Sequence, residues 1–462
     1  MDTKVTRFFD SLKDKKVCFI GVGVSHLDLI RLFVKKGIDV SICDMREREN
    51  LDCFDELSSY GVTMHLGADY LEHLDGDIIF RSPGVRFYTD QIVKARQKGA
   101  IITSELEVFF SICPCEIIAV TGSDGKTTTT TIISNMLKES GKNVHLGGNI
   151  GVPLLPIIES INPDDIAVVE LSSFQLISMR NSPNVSVITN IEPNHLDMHA
   201  DLDEYINAKR NIYLHQNSFG KTVLNEDNEV TKSFCDEVIC RLYTFSRETK
   251  PENGAFVDAD DFICMAHDGG ITRLFKTDDI AIPGVHNIEN YLAAVTAMWG
   301  YVAPSVMEKV AREFGGVEHR IEFVRELDGV KWYNDSIASS PSRTVAGLNS
   351  FDKKVILIAG GYDKQISYLP LAPKIIEKVK LLLLMGDTAN KIQDTVESIG
   401  GYKSSGLKIV RVEDMQDAVK VARENAIRGD IVFMSPASAS FDKYKNFDMR
   451  GKHFKKIVNE LK

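Results

Sequence analysis

The sequence predicts an α/β protein of three domains: a Rossmann-like N-terminal domain over 1–106, a central P-loop ATPase-like domain with a mostly parallel sheet over 107–316, and a Rossmann-like C-terminal domain over 317–462. Three observations lead there. Short apolar runs of strand character alternate with helical patterns along much of the chain, the signature of parallel sheets covered by helices. One run feeds a glycine-punctuated loop, Val120–Thr131 (VTGSDGKTTTTT), of the kind that cradles a phosphate. At 462 residues the chain also exceeds what one hydrophobic core can organise.

Composition narrows the function classes. A net charge of −11 with no long basic block argues against a nucleic-acid partner, so anionic ligands must be held by local sites. The N-terminal MDTKVTRFFDSLKDKK is too charged for a signal peptide, and no apolar run approaches a membrane span. Eight scattered cysteines, with Cys113-Pro114-Cys115 the closest pair and no C-x-x-C, fit reduced thiols better than a zinc site or a disulfide framework. A cytoplasmic protein without membrane insertion is expected.

In the first domain, Lys16–Ile20 reads as a strand, followed by Gly21-Val22-Gly23-Val24-Ser25-His26 and a helix to Lys36. A second strand, Val40–Cys43, ends in Asp44, about where an acid meets a ribose in dinucleotide folds. His26 replaces the third glycine of that fingerprint. A nicotinamide site, a pocket for another nucleotide's pyrophosphate and a tight turn without ligand all remain open. Strand Asp77–Phe80 then delivers Arg81-Ser82-Pro83-Gly84, with helix Thr89–Lys98 and strand Ala100–Thr103 behind it.

The central domain is built on the phosphate loop. Strand Glu116–Val120 precedes it; Gly122 and Gly125 let backbone N–H groups converge on phosphate oxygens, and the helix start adds partial positive charge. Lys126 can reach β- and γ-phosphates, and the Thr127 hydroxyl can ligate Mg²⁺. Val120 stands where the common pattern has glycine, so the loop is a variant. Gly147-Gly148-Asn149-Ile150-Gly151 follows, then strand Ile166–Val169, whose tip offers Glu170, either a Mg²⁺ ligand or a helix-capping acid. Strand Val185–Thr189 delivers Asn190 to His195; an ordinary satisfied histidine is the competing reading of His195.

In Leu202–Tyr213 the apolar residues at 202, 205, 206, 212 and 213 form a helical stripe with Lys209 in its middle. Such a lysine must be neutralised, paired or snorkelled. A carbamate would turn it into an anion with hard oxygen donors, whereas an ammonium would repel Mg²⁺. Pro283–Asn290 opens a further helix, on which Asn287 and Asn290 could bond a purine or cap the helix.

The third domain alternates strands (Val330–Tyr333, Val355–Ile358, Leu381–Leu384, Ile409–Val412, Ile431–Met434) with helices, a parallel sheet covered on both faces. Its strand ends carry Asn334-Asp335-Ser336, Gly360-Gly361-Tyr362-Asp363-Lys364 and Ser435–Ser440, the expected ligand edge.

The ordered set TGSDGKT, GGNIG, ELSSFQL, NIEPNHLD, NAKRNIY, PGVHNIEN, HRIE, NDS and SPASASFDKYKNFDMRG, spread over the whole chain, resembles the Mur ligases, and among them the branch that adds D-glutamate. The resemblance implies a ligase that uses ATP and two Mg²⁺ ions. The γ-phosphoryl of ATP passes to the alanyl carboxylate of UDP-N-acetylmuramoyl-L-alanine, and the amine of D-glutamate attacks the acyl phosphate through a tetrahedral intermediate. Carried over by motif, Lys126 steadies the phosphates within the loop Gly122, Ser123, Asp124, Gly125, Thr127 and Thr128. Thr127 and Glu170 hold the first Mg²⁺, and His195 and carbamylated Lys209 the second. Asn287, Asn290, Arg320 and Asp335 complete the ATP contacts.

The uridine end would meet Ser25, Asp44, Arg46, Ser82 and Gly84, and the sugar-peptide end Asn149, Ser172 and Gln175. D-Glutamate would sit near Ser339, Ser440, Phe441 and Phe447. One departure stands out. Ile337 follows Asn334-Asp335-Ser336 where the best-known members carry a lysine, so Lys364, Arg343 or Lys443 must supply the cation, with Lys364 favoured. A monomer whose domains close during turnover is expected. The competing readings are a related ligase with another amino-acid acceptor or a folate substrate, and a nucleotide-binding protein or dehydrogenase without ligase activity.

Overall fold

The computed structural model describes residues 3–192 and 199–462. The chain forms two compact units, one of Met1–Thr277 with Glu289–Val310, the other of Asp278–Ile288 with Ala311–Lys462.

The described residues of the first unit form three sheets. β1 (Lys16–Ile20), β2 (Asp39–Asp44), β3 (Thr63–Leu66), β4 (Ile78–Arg81) and β5 (Ile101–Thr103) form a parallel sheet in the order β3-β2-β1-β4-β5. The order reverses between β1 and β4, so the loops after these strands part at the carboxyl edge, the usual crevice for a ligand. β6 (Glu116–Thr121), β7 (Val144–Gly148), β8 (Ile166–Glu170), β9 (Val185–Ile188), β10 (Lys221–Asn225) and β11 (Arg241–Phe245) form the second parallel sheet, ordered β11-β10-β9-β6-β8-β7. Their nearly unbroken apolar runs reflect burial on both faces.

Among the described residues a smaller apolar core around Ile20, Ile79 and Ile92 lies on the first sheet, and one larger core runs through both sheets. Phe19, Phe33 and Ile42 of the first join Ala119, Val169 and Ile188 of the second, with Phe109 and Leu154 from the connecting segments. The buried Glu105 accepts the Leu154 and Leu155 N–H groups at 3.0 and 2.7 Å, which fastens the helix Glu105–Ile112 to the turn after β7.

Beyond β11 lies a three-stranded antiparallel sheet, β12 (Gly254–Val257), β13 (Phe262–His267) and β14 (Gly270–Lys276), which the alternating pattern did not predict. Asp268 and Gly269, at φ 48° and 74°, form the β13–β14 turn.

The second unit carries β15 (Glu322–Leu327), β16 (Val330–Asn334), β17 (Val355–Ala359), β18 (Val379–Leu384), β19 (Lys408–Arg411) and β20 (Ile431–Met434), in the order β15-β16-β20-β17-β18-β19. The five strands expected here are parallel; β15 is an added antiparallel edge, joined to β16 by Asp328 and Gly329 at φ 54° and 78°. Separate apolar clusters fill the two faces, one around Leu357, Leu382 and Phe433, the other around Trp332, Leu383 and Phe454.

Candidate active site

The phosphate loop leaves β6, which lies between β8 and β9 in the second sheet. Its backbone is shaped by two close approaches. Gly122 has φ 151°, and a Cβ there would stand 1.9 Å from Thr189 Oγ1. Gly125 caps the helix Lys126–Glu139 in the left-handed region at φ 77°, where a Cβ would meet Asn290 Oδ1 at 2.3 Å. The loop is braced from β9: Asn190 Oδ1 accepts the Asp124 N–H at 2.9 Å, and Thr189 Oγ1 donates to the Asp124 carbonyl at 2.6 Å. Ser123 Oγ accepts the Glu192 N–H at 2.8 Å and shares a hydrogen bond with the Tyr205 hydroxyl. Lys126 Nζ folds back to the Ser123 carbonyl at 2.8 Å, and Thr129 Oγ1 donates to Asn290 Oδ1 at 3.2 Å. Thr127 is partly exposed at the helix start, while Thr128 is buried. Thr189, Asn190 and Tyr205 were not singled out from sequence, although Tyr205 precedes Lys209 by one helical turn.

Glu170 ends β8 in register with Val120 of β6, so the sheet itself sets the acid beside the loop. Its Oε1 accepts Asn149 Nδ2 at 2.8 Å, while the buried Oε2 has no hydrogen-bond partner among the described residues. A buried carboxylate oxygen without a donor is costly unless a cation completes it. Lys209 lies on the helix Leu202–Arg210, opened by Asp201 accepting the Glu204 N–H, and is 2% exposed. Its Nζ donates to the Gly122 carbonyl at 2.6 Å, inside the phosphate loop, and stands 4.8 Å from the centre of the Tyr205 ring. Burial, and after it the Lys126 charge, drives this amine well below the ordinary lysine pKa; Glu170 and Asp124 pull the other way. Burial thus works against the charged form at the heart of the loop.

Among the described residues no three His, Cys, Asp or Glu side chains converge as a metal cluster. The unpartnered Glu170 Oε2, with the Thr127 hydroxyl, still suits a hard cation that keeps several waters. His195 lies outside the described residues.

On the first sheet, Asp44 accepts the Val22 N–H at 2.7 Å and the Arg46 N–H at 2.9 Å, and pairs with the Arg46 guanidinium. Burial pushes this carboxyl up, but the bonds from Arg46 and Val22 outweigh it and hold it below its ordinary value. Asp44 and Arg46 therefore act as one unit that sets the turn after β1. His26, in place of the third glycine, is buried with Nδ1 2.7 Å from the Gly21 carbonyl. Ser82 faces Gly21 across the β1–β4 crevice, Ser25 lies in the first turn of the helix Val24–Lys35, and Gly84 is exposed. Ser172 and Gln175 engage each other in a capping box around the helix Ser173–Leu176. A cavity of about 380 Å³ opens beside this helix, with Arg81, Pro83, Phe87, Phe174 and His199 in its wall. His199 is stacked on Phe174 and bonded to Ser173 and Glu204.

In the second unit the polar strand ends are tied together. The buried Asp335 accepts Ser435 Oγ at 2.7 Å and the Ile321 N–H at 3.2 Å; burial pushes its pKa up to about 7, against the pull of Arg320 and Arg343. Arg450, also buried, donates to the carbonyls of Ser336, Ser438 and Ala439 and to Ser336 Oγ. Ser440 is buried, Ser339 half-buried, and Phe441 and Phe447 exposed. Phe441 stands edge-on to Tyr362, ring centres 5.9 Å apart. Lys364 is exposed, whereas Lys443 donates to the Glu413 carbonyl. Asn287 Nδ2 donates to the Pro283 carbonyl at 2.6 Å, a bond within its own turn.

Family models match in three consecutive stretches: the N-terminal domain of MurD-like Mur ligases at residues 15–104, the Mur ligase middle domain at 120–298, and the Mur ligase glutamate ligase domain at 319–438. A protein from Acetivibrio thermocellus named UDP-N-acetylmuramoylalanine--D-glutamate ligase is 50% identical over the full length of both chains. One of the same name from Clostridium acetobutylicum is 47% identical, again over both full lengths. The solved UDP-N-acetylmuramate-alanine ligase from Thermotoga maritima matches 97% of this chain and all of its own with a TM-score of 0.57, and at 20% identity speaks for the fold alone.

Proposed function

From the fact that this chain belongs to the Mur ligase family, we infer its reaction: it is an ATP-dependent ligase of the MurD type, joining D-glutamate to UDP-N-acetylmuramoyl-L-alanine in peptidoglycan precursor synthesis. The observation that carries the chemistry is the meeting, on one sheet edge, of a phosphate loop, a buried carboxylate oxygen with no donor among the described residues, and a buried lysine amine.

A carboxylate resists attack by an amine until it is activated, and ATP activates it by phosphorylation. Two anions must first be brought together, so the chain's own work is positioning and charge compensation. Lys126 and the N–H groups of the loop hold the triphosphate. Bound Mg²⁺ would neutralise and polarise the phosphoryl and acyl oxygens, one ion on Thr127 and Glu170 and a second on His195 and Lys209. For that role Lys209 would be carbamylated. Its neutral amine adds to CO₂ and releases a proton, leaving an anion where an ammonium would have opposed the metal. The depressed basicity of this amine supports that step.

The first sheet's edge would take the uridine end through Ser25, Asp44, Arg46, Ser82 and Gly84, with Asn149, Ser172 and Gln175 along the sugar-peptide end. Asn287, Asn290, Arg320 and Asp335 would complete the ATP contacts, and Ser339, Lys364, Ser440, Phe441 and Phe447 would receive D-glutamate. We place the domain boundaries near residues 106 and 316, and the enzyme in the cytoplasm as a monomer. No helix among the described residues is long and apolar enough to cross a membrane.

Phosphate release from ATP by the purified protein, with UDP-N-acetylmuramoyl-L-alanine and a panel of amino acids, tests the reading. D-Glutamate should drive release best. Release driven best by L-lysine or L-alanine would overturn the acceptor, and no release with any acceptor would overturn the reaction.

A further inference from the structure

D-Glutamate brings two carboxylates to the acceptor pocket, and each needs a cation or a dense set of donors to replace its water. If the acceptor assignment above holds, groups of the second unit answer this need.

In its sheet, β16 and β17 flank β20, so the loops after these three strands lie side by side at the carboxyl edge. The cations on or next to them differ sharply in what already occupies them. Lys391 pairs with both oxygens of Asp363 at 3.1 Å, and Lys443 donates a hydrogen bond to the Glu413 carbonyl. Arg450 is buried, with its donors on loop carbonyls and Ser336. Lys364, after β17, is exposed.

Arg343 is different. It lies in the first turn of the helix Pro341–Asn349, which follows the β16 loop, and its guanidinium reaches back so that Nη1 donates to the Ile337 carbonyl at 3.3 Å. That bond brings the head to the Ile337 carbonyl of the β16 loop while the residue remains exposed. No carboxylate among the described residues forms an ion pair with it. Its charge is nevertheless felt by the buried Asp335 at the tip of β16.

We propose that Arg343 is the second cation of the acceptor pocket: it pairs with one carboxylate of D-glutamate from the β16 side, across the serine-rich β20 loop from Lys364, and so helps to select a dicarboxylate. An apolar side chain at 337 is then compatible with the pocket, because the positive charge above that loop comes from the helix that follows.

Steady-state kinetics on the whole enzyme test this. Arg343→Ala should raise KM for D-glutamate by roughly 30-fold or more, with kcat within about threefold and KM for ATP and for the nucleotide substrate within about twofold. Arg343→Lys should keep part of the affinity, and Ile337→Lys added to Arg343→Ala should recover part of it. D-Glutamine and D-isoglutamine each lack one carboxylate, and the Arg343→Ala penalty should largely vanish with one of the two. An unchanged KM for D-glutamate, an equal penalty on all three amino acids, or a matching loss of ATP affinity would overturn the proposal. A wild-type enzyme inactive with D-glutamate would instead remove the acceptor reading on which it rests.

Discussion

In the proposed reaction Lys209 concentrates the chemistry into one residue. An ammonium at this position is opposed by burial and by the nearby Lys126 charge, which together lower the pKa of the amine well below the ordinary lysine value. On our reading the carbamate then converts a liability into a ligand. Lys209→Ala should therefore lose at least 100-fold in kcat (~3 kcal/mol of barrier) while the nucleotide affinity falls much less. Added acetate or formate should restore part of the rate by supplying the missing oxygens; full activity without them would remove the assigned role. At this scale much was legible in the sequence. The polar residues at strand ends announced themselves by position, and Lys209 by its place on an apolar stripe. What sequence could not give is occupancy. Asp44 and Arg46 spend their hydrogen bonds on each other, and Ser172 and Gln175 on a helix cap, because partners in space are set by the turn that forms and not by residue type.

At the scale of the element, the phosphate loop depends on neighbours far away in the chain. Asn290, 165 residues beyond Gly125, leaves no room for a Cβ there, and the backbone is already left-handed. Gly125→Ala should cost about 1–2 kcal/mol from the backbone alone, and the clash with Asn290 should weaken ATP binding further. Isothermal titration with a non-hydrolysable ATP analogue measures this; unchanged affinity would show that the helix carrying Asn290 yields freely. The parallel sheets were readable because βαβ units alternate regularly. Three of the four strands that break this rule, β13, β14 and β15, border an Asp-Gly turn with both residues at positive φ, Asp268-Gly269 or Asp328-Gly329. That dipeptide between apolar runs is a strong hairpin signal. Both dipeptides are plain in the sequence, whereas the strand–helix alternation alone carries no sign of these hairpins.

For the whole molecule, the chain enters its second unit twice, at 278–288 and again from 311 onward, yet each unit keeps its own sheets and cores. Two cooperative transitions are the expected thermal behaviour, with the calorimetric enthalpy exceeding the van't Hoff value for the chain as one unit. Equality of the two enthalpies would mean that the units unfold as one. The first unit is itself continuous: Phe9 and Phe33 share a core with Val169 and Ile188, so the first two sheets have no apolar boundary between them. Three family segments and two compact units are thus compatible descriptions, since segments follow sequence and compactness follows packing.

The buried Arg450 has a consequence for how an amino acid is received. By gripping carbonyls after β16 and after β20 with one planar head, it welds the two loops that we propose receive D-glutamate into a single stiff frame. The incoming molecule need not spend its attraction on ordering them, so its selectivity can be written in shape and charge alone.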